Sequence, residues 1–255
     1  MQRALRSPAG ACSSPPRAMP TSRFCGPCVA LSSGDEMLLA IDTATRIASL
    51  ALHDGVSLRY EETWDAGREH TTQVPPRLVA ALETLRVRVE DLSAVAVAVG
   101  PGSFTGLRVG VSIAKGLCVA CGIPLIGIPT LDILATAQGA DRRPLAAVVQ
   151  AGRGRICAAV YRWRGGWRRR EGPFLTTWEG LMARFTTPFL VCGEVDARGQ
   201  EALGRLEGRA AVLSPAHSLR RAGFLAELAW ERLGRGETDD PTALTPLYLQ
   251  HPAEG

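Results

Sequence analysis

Six consecutive apolar residues, Ala94–Val99, run directly into Gly100-Pro101-Gly102-Ser103-Phe104-Thr105-Gly106-Leu107-Arg108. A strand that is apolar without alternation has both faces covered, the mark of a parallel strand inside an α/β layer structure. The glycine-rich string behind it turns the chain sharply, and the pattern that follows predicts a helix through about Cys121. Free backbone N–H groups at such a helix start suit an anion. The string is neither a Walker loop, which ends in Gly-Lys-Ser/Thr, nor a dinucleotide fingerprint, whose glycine spacing differs and which holds no proline. A rigid strand-to-helix turn that presents Phe104 and Arg108 at a surface accounts for it equally well without a ligand.

The same pattern recurs around this unit. Leu38–Asp42, Arg46–His53 and Val56–Trp64 predict three strands with tight turns, hence antiparallel hairpins. Val74, Leu78, Leu82 and Leu85 then recur at helical spacing behind Arg68-Glu69-His70-Thr71, with Pro75 and Pro76 in the first turn or at a kink. Leu125–Ile128 is the next strand, and Thr130 caps a short helix to Ala137. Beyond it, Leu145–Gln150, Arg155–Trp163 and Trp167–Leu175 read as strands, followed by a capping-box helix start at Thr176 and Glu179. A strand at Phe189–Cys192, a helix at Asp196–Leu206, a strand at Ala210–Leu213 and an amphipathic helix at Ser218–Leu233 complete the half. The element order βββαβαβα thus appears twice although the residues of the halves do not match. A tandem of this kind is the plan of the actin, hexokinase and heat-shock-chaperone ATPase superfamily. The expected fold is therefore α/β, a duplicated βββαβαβα actin-like ATPase fold of two subdomains, over residues 37–141 and 142–234, with a segment at about 235–250 packing back on the first.

Charge is unevenly distributed. Four of the 29 basic residues lie in residues 1–34 without any acid, leaving 25 against 25 from Asp35 onward, so a general electrostatic grip on nucleic acid is not expected. Residues 1–36 are rich in Pro, Ser, Ala and Arg and lack periodicity, which predicts a disordered or non-native extension, with Met37 beginning the functional protein. Cys25-Gly26-Pro27-Cys28 within it spells a redox centre, but Val29–Gly34 is too short and too Ser/Gly-rich for the helix that chemistry requires. Cys118 and Cys121 lie on a predicted helix as packing thiols. Seven cysteines without a secretory signal fit a reducing compartment, and no stretch of 18 apolar residues predicts a membrane span.

Catalytic constellations are sparse. In ATPases of the superfamily the first hairpin carries an Asp-x-Gly-Thr turn whose glycine admits a phosphate. Here the turn is Asp42-Thr43-Ala44-Thr45, and the Ala44 Cβ opposes that approach. It reads as a degraded phosphate turn at Asp42, Thr43 and Thr45, or as a polar turn whose side chains satisfy local backbone groups. His53, His70, His217 and His251 are scattered with no pair at metal-ligand spacing, and His70 reads as solvated or partner-facing. No Gly-x-Ser-x-Gly elbow occurs. In Tyr161–Arg170, rings alternate with guanidiniums, either as a single-stranded RNA contact or as a hairpin tip in a chain whose only lysine is Lys115.

Leu39-Ala40-Ile41-Asp42-Thr43, Gly67-Arg68-Glu69-His70, and above all Gly100–Arg108 followed by Ala114-Lys115-Gly116 resemble the TsaB (YeaZ) family. The likeness runs from about Met37 to Leu131 and resumes at Pro246-Leu247-Tyr248-Leu249. Between Arg142 and Ala243 it is looser, with Gln150-Ala151-Gly152-Arg153 where the family has an Asp-Ala-Arg type start. The resemblance implies a cytoplasmic bacterial subunit without catalytic residues, required for threonylcarbamoylation of N6 of the adenosine beside the anticodon in tRNAs reading ANN codons. It implies a TsaD-like transferase partner, a TsaE-like ATPase, a second copy of the chain as a further partner, and tRNA met indirectly through the complex. It places no cofactor or metal in this chain, with ATP and metal in the partner subunits. It assigns the partner face to helices His70–Leu85 and Phe104–Cys121, with Arg68, Glu69, His70, Leu78, Leu82, Leu107 and Val111, next to the motif loop Gly100–Arg108 and Lys115. The alternatives are an autonomous ATP-binding transferase or peptidase of the superfamily using Asp42, Thr43 and Lys115, and a redox protein using Cys25 and Cys28.

Overall fold

In a computed structural model of the chain, residues 36–249 are described; the leader with Cys25 and Cys28, and His251, lie outside them. The first half comprises β1 (Met37–Asp42), β2 (Ile47–His53), β3 (Leu58–Asp65), α1 (His70–Leu85), β4 (Leu92–Gly100), α2 (Phe104–Cys121), β5 (Leu125–Pro129) and α3 (Thr130–Thr136). The second comprises β6 (Leu145–Gly152), β7 (Arg155–Trp163), β8 (Trp167–Thr176), α4 (Trp178–Met182), β9 (Phe189–Gly193), α5 (Ala197–Gly204), β10 (Ala210–Val212) and α6 (Ala222–Gly234). The sheets run β3-β2-β1-β4-β5 and β8-β7-β6-β9-β10, with an antiparallel meander on one side and parallel strands on the other. Strand for strand the two sheets are equivalent, which is the duplicated two-subdomain plan expected from the element order.

The Ala-Val alternation of β4 decides what covers each face. Successive side chains point to opposite sides, so Ala94, Ala96 and Ala98 line one face and Val95 and Val97 the other. The shallow alanine face admits α6 closely, and Ala222, Leu225, Ala226, Ala229 and Trp230 pack there. The bulkier face is covered by α1 and α2 through Val74, Leu78, Leu82, Val111 and Ala114.

The helix expected to close the second subdomain therefore belongs to the first sheet, and the expected division at residues 142–234 is corrected accordingly. In exchange α3 buries Leu131, Leu134 and Ala135 against Leu145, Ala147 and Val149 of the second sheet. The segment after α6 returns along β5 and β4, where Gly127 N donates to Asp239 Oδ2 at 2.7 Å and Leu247 N to Val99 O at 2.7 Å.

Three local expectations shift. Thr177, not Thr176, caps α4, its hydroxyl accepting from Gly180 N at 3.2 Å. Thr130 lies inside α3, with Pro129 at the cap position, and its buried hydroxyl finds no partner among the described residues. α6 begins at Ala222 rather than Ser218 because Arg220 is drawn into the interior. Of the described helices, α2 is long and apolar enough by length and composition to cross a membrane; it carries Arg108 and Lys115 and lies along β4 within the fold.

Candidate functional site

The β1–β2 turn is sealed inside the molecule. Asp42, Thr43 and Ala44 are 0% exposed and Thr45 is 6% exposed. Asp42 Oδ1 accepts from Ala44 N at 2.8 Å, while Oδ2 accepts from Arg220 Nε at 3.0 Å. The same guanidinium donates to Thr45 Oγ1 at 2.6 Å and to Ile47 O at 3.2 Å, and lies 3.6 Å from Glu194 Oε1. A charge removed from water needs a partner and filled hydrogen bonds, and Arg220 supplies both to Asp42. The residues read as a degraded phosphate turn are thus a polar turn satisfied from within.

The motif loop closes the turn from the other side. Ser103 N donates to Ala44 O at 2.6 Å, and Thr43 Oγ1 donates to Gly106 O at 2.7 Å. A Cβ on Gly102 would run into the Ala44 carbonyl and one on Gly106 into the Thr43 carbonyl, so the glycines permit backbone to meet backbone rather than a phosphate. Ser103 caps α2, its hydroxyl accepting from Gly106 N. His70, read from sequence as solvated or partner-facing, is 3% exposed and donates from Nε2 to Thr45 O at 2.8 Å. Its buried place follows from being the first residue of α1, directly over the turn.

Between the subdomains opens a cleft of about 660 Å³ lined by Thr45, Arg46, Gly102, Ser103, Gln150 and Glu194. The phosphate turn of the expected ATPase plan adjoins this cleft at Thr45, and the residues here do not fit a nucleotide. The turn that would meet phosphate is covered, Arg46 is committed to Asp65 at 2.7 Å, and Glu194 presents a carboxylate. Lys115, paired with Asp42 and Thr43 in the autonomous-enzyme reading, instead reaches Thr242 O at 3.5 Å on the C-terminal segment. Among the described residues no group of three or more His, Cys, Asp or Glu could hold a metal.

A second concavity, about 410 Å³, lies between α1 and α2 and is lined by Thr71, Pro75, Phe104, Arg108, Val109 and Ile113. Phe104 is 54% exposed, with Arg108 stacked 4.0 Å over its ring and the Tyr248 ring 5.0 Å from it. Val79 and Val119 are also exposed on these helices, an excess of apolar surface for isolated chain. Of the expected contact residues only Arg68 and Glu69 face solvent. Leu78, Leu82, Leu107 and Val111, at 6%, 5%, 0% and 4% exposure, belong to the core, because they form the helix stripes turned toward the sheet.

The second C-x-x-C is packing chemistry. Cys118 is buried against Pro124 O at 3.5 Å, and burial pushes its thiol up to about 11, away from thiolate reactivity.

Comparison with known proteins places this architecture. Residues 64–170 match the family model of TsaD, tRNA N6-adenosine threonylcarbamoyltransferase. The tRNA threonylcarbamoyladenosine biosynthesis protein TsaB of Escherichia coli is 43% identical over 42% of this chain and 45% of its own length. The TsaB of Bacillus subtilis is 26% identical over 84% of this chain and 93% of its own. The chain belongs to the TsaB (YeaZ) family. YeaZ from Pseudomonas aeruginosa superposes with a TM-score of 0.68 at 26% identity, covering 84% of this chain and all of that one. The match to the first of these relatives spans under half its length.

Arg220 and Glu194 escaped the sequence reading, and Tyr248 entered it only within the C-terminal string of the family likeness. Arg220 and Glu194 sit in no motif or periodic stripe, and the roles of all three come from contacts distant in sequence, as with Arg220 Nε donating to Asp42 and Arg108 Nε donating to Tyr248 at 3.3 Å.

Proposed function

We propose that the chain is a non-catalytic subunit of the machinery that places threonylcarbamoyl on N6 of the adenosine beside the anticodon in tRNAs reading ANN codons, working in the cytoplasm. It docks a TsaD-type transferase through the α1–α2 groove and so positions or activates that enzyme. The observation that carries this reading is the sealed turn: where an actin-like ATPase would open toward phosphate, Asp42 is bound by Arg220 and covered by Ser103. The exposed Phe104, Val79 and groove supply the partner surface such a chain requires. Nucleotide and metal act in the partner subunits, a TsaE-type ATPase joins the assembly, and a second copy of the chain can occupy the same face in the partner's absence.

The test is tRNA modification in vitro with purified TsaD, TsaE and the threonylcarbamoyl-adenylate synthase, with or without this chain started at Met37. Modification that requires the chain supports the proposal. A chain that adds nothing, yet binds and hydrolyses ATP alone, overturns it in favour of an autonomous enzyme.

A further inference from the structure

The β7–β8 hairpin carries a charge arrangement that folding does not explain. Arg162 on β7 stands directly opposite Arg168 on β8, so the two side chains share one face of the sheet. Like charges in that position oppose the pairing of the strands. Arg164 lies at the tip, and the register moves from Val160 opposite Glu171 to Tyr161 opposite Arg169, leaving Arg170 as a bulge residue. Arg162, Arg164, Arg168 and Arg170 are exposed and have no carboxylate partner among the described residues. Single exposed arginines without a carboxylate among the described residues occur elsewhere, as Arg68 and Arg142, but here two face each other across a strand pair, whereas Arg88 is paired with Asp91 at 2.7 Å and Arg205 with Glu201 at 2.6 Å.

Charged residues on an edge strand also guard a sheet against unwanted pairing. That would account for Arg168 and Arg170 on β8, which is the edge, but not for Arg162, since β7 is interior. The rings are sorted away from the charges. Trp163 and Trp167 face the opposite side, edge to face at 5.6 Å, and Trp167 Nε1 donates to Gln138 O at 3.1 Å in the core beside α3. Rings so engaged leave little for bases to stack on, so of the two readings the single-stranded contact gives way to a face of guanidiniums, on which Glu171 is paired with Arg184.

We propose that this face, Arg162 and Arg168 with Arg164 and Arg170 beside them, contacts the phosphate backbone of a structured RNA. RNA rather than an acidic protein follows from charge without accompanying apolar surface, since protein partners bury apolar anchors and backbone recognition needs guanidiniums alone. The inference rests on the function proposed above, in which the RNA is the tRNA substrate. Contact here is local and independent of base sequence, consistent with a chain that is neutral overall beyond its leader.

The test titrates the full chain with tRNA by fluorescence anisotropy at several salt concentrations, comparing Arg162→Glu/Arg168→Glu with Arg88→Glu/Arg205→Glu, which changes net charge equally. The milder Arg162→Gln/Arg168→Gln guards against misfolding, and thermal melts verify all three. The hairpin variant is expected to bind about tenfold more weakly and to lower the slope of log K against log salt by about 1.4–1.8, two phosphate contacts' worth, with the control nearly unchanged. Equal losses in both variants, no binding by the wild type, or displacement by poly-aspartate as readily as by RNA would overturn the proposal. The same variants are run in the reconstituted modification reaction. Unchanged modification and an unchanged KM for tRNA defeat the hairpin contact and leave the subunit role standing, whereas failure of the wild type there defeats the subunit role itself.

Discussion

Asp42 and Arg220, 178 residues apart in the chain, form an ion pair at 3.0 Å with side chains only 1% and 3% exposed. It ties the end of β1 to the segment that leads into α6, and so joins the two ends of the first subdomain's core. Removing either partner leaves the other buried and uncompensated, so Asp42→Ala and Arg220→Ala should each cost about 3–5 kcal/mol. Replacing both, as Asp42→Ala with Arg220→Met, should cost clearly less than the sum of the two. Urea unfolding of the four proteins measures this, and strict additivity would show that the pair is not coupled.

The close approach at Gly102 predicts a contrast with another glycine. Gly102→Ala forces the motif loop off the Ala44 carbonyl and should destabilise by about 1–3 kcal/mol through overpacking. Gly116 in α2 has nothing near its missing Cβ, so Gly116→Ala should stabilise by about 0.5–1 kcal/mol through helix propensity. Thermal melts of the two variants should move in opposite directions.

The partner face is separable from the core beneath it. Val79→Lys with Ser112→Arg alters exposed positions on α1 and α2, so stability should change by no more than about 0.5 kcal/mol while co-elution with the TsaD-type subunit is lost. Leu82→Ala, in the core, should cost about 2–5 kcal/mol and leave co-elution of the remaining folded protein intact. The reverse pattern on size exclusion would move the interface elsewhere.

His53 should make stability fall in mild acid. Its Nδ1 accepts from Gly55 N at 2.9 Å, and its ring lies against Trp230 at 6.3 Å. Burial lowers its pKa, with Asp54 opposing in part. The unfolded chain therefore takes up this proton near pH 6.5 while the folded chain resists it, so the contribution is complete above the unfolded value and lost as pH falls below it. The drop in melting temperature between about pH 7.5 and about pH 5.5 should be smaller in His53→Gln than in the wild type.

Cys118 and Cys192, both buried with their thiols pushed up by desolvation, should resist iodoacetamide in the folded protein and react in urea. Mass mapping of alkylated peptides distinguishes this from a reactive Cys118–Cys121 pair.

The strand and helix order was legible because it rests on local periods. The alternation of Ala and Val in β4 already specifies a shallow and a deep face, and Val74, Leu78 and Leu82 already mark the stripe of α1. The same stripe does not mark the surface of the helix: periodic apolar residues report what a helix buries within its own domain, while its exposed apolar residues fall between them, at Val79 and Phe104. Sequence by itself determined the duplicated plan, the alanine at position 44 where the superfamily's phosphate turn has glycine, and the family string Gly100–Arg108. Only the tertiary structure decided that α6 covers the first sheet, that Arg220 fills the turn, and that the hairpin's rings and guanidiniums part to opposite faces. These depend on contacts between residues far apart in the chain and on strand register, for which no local period exists.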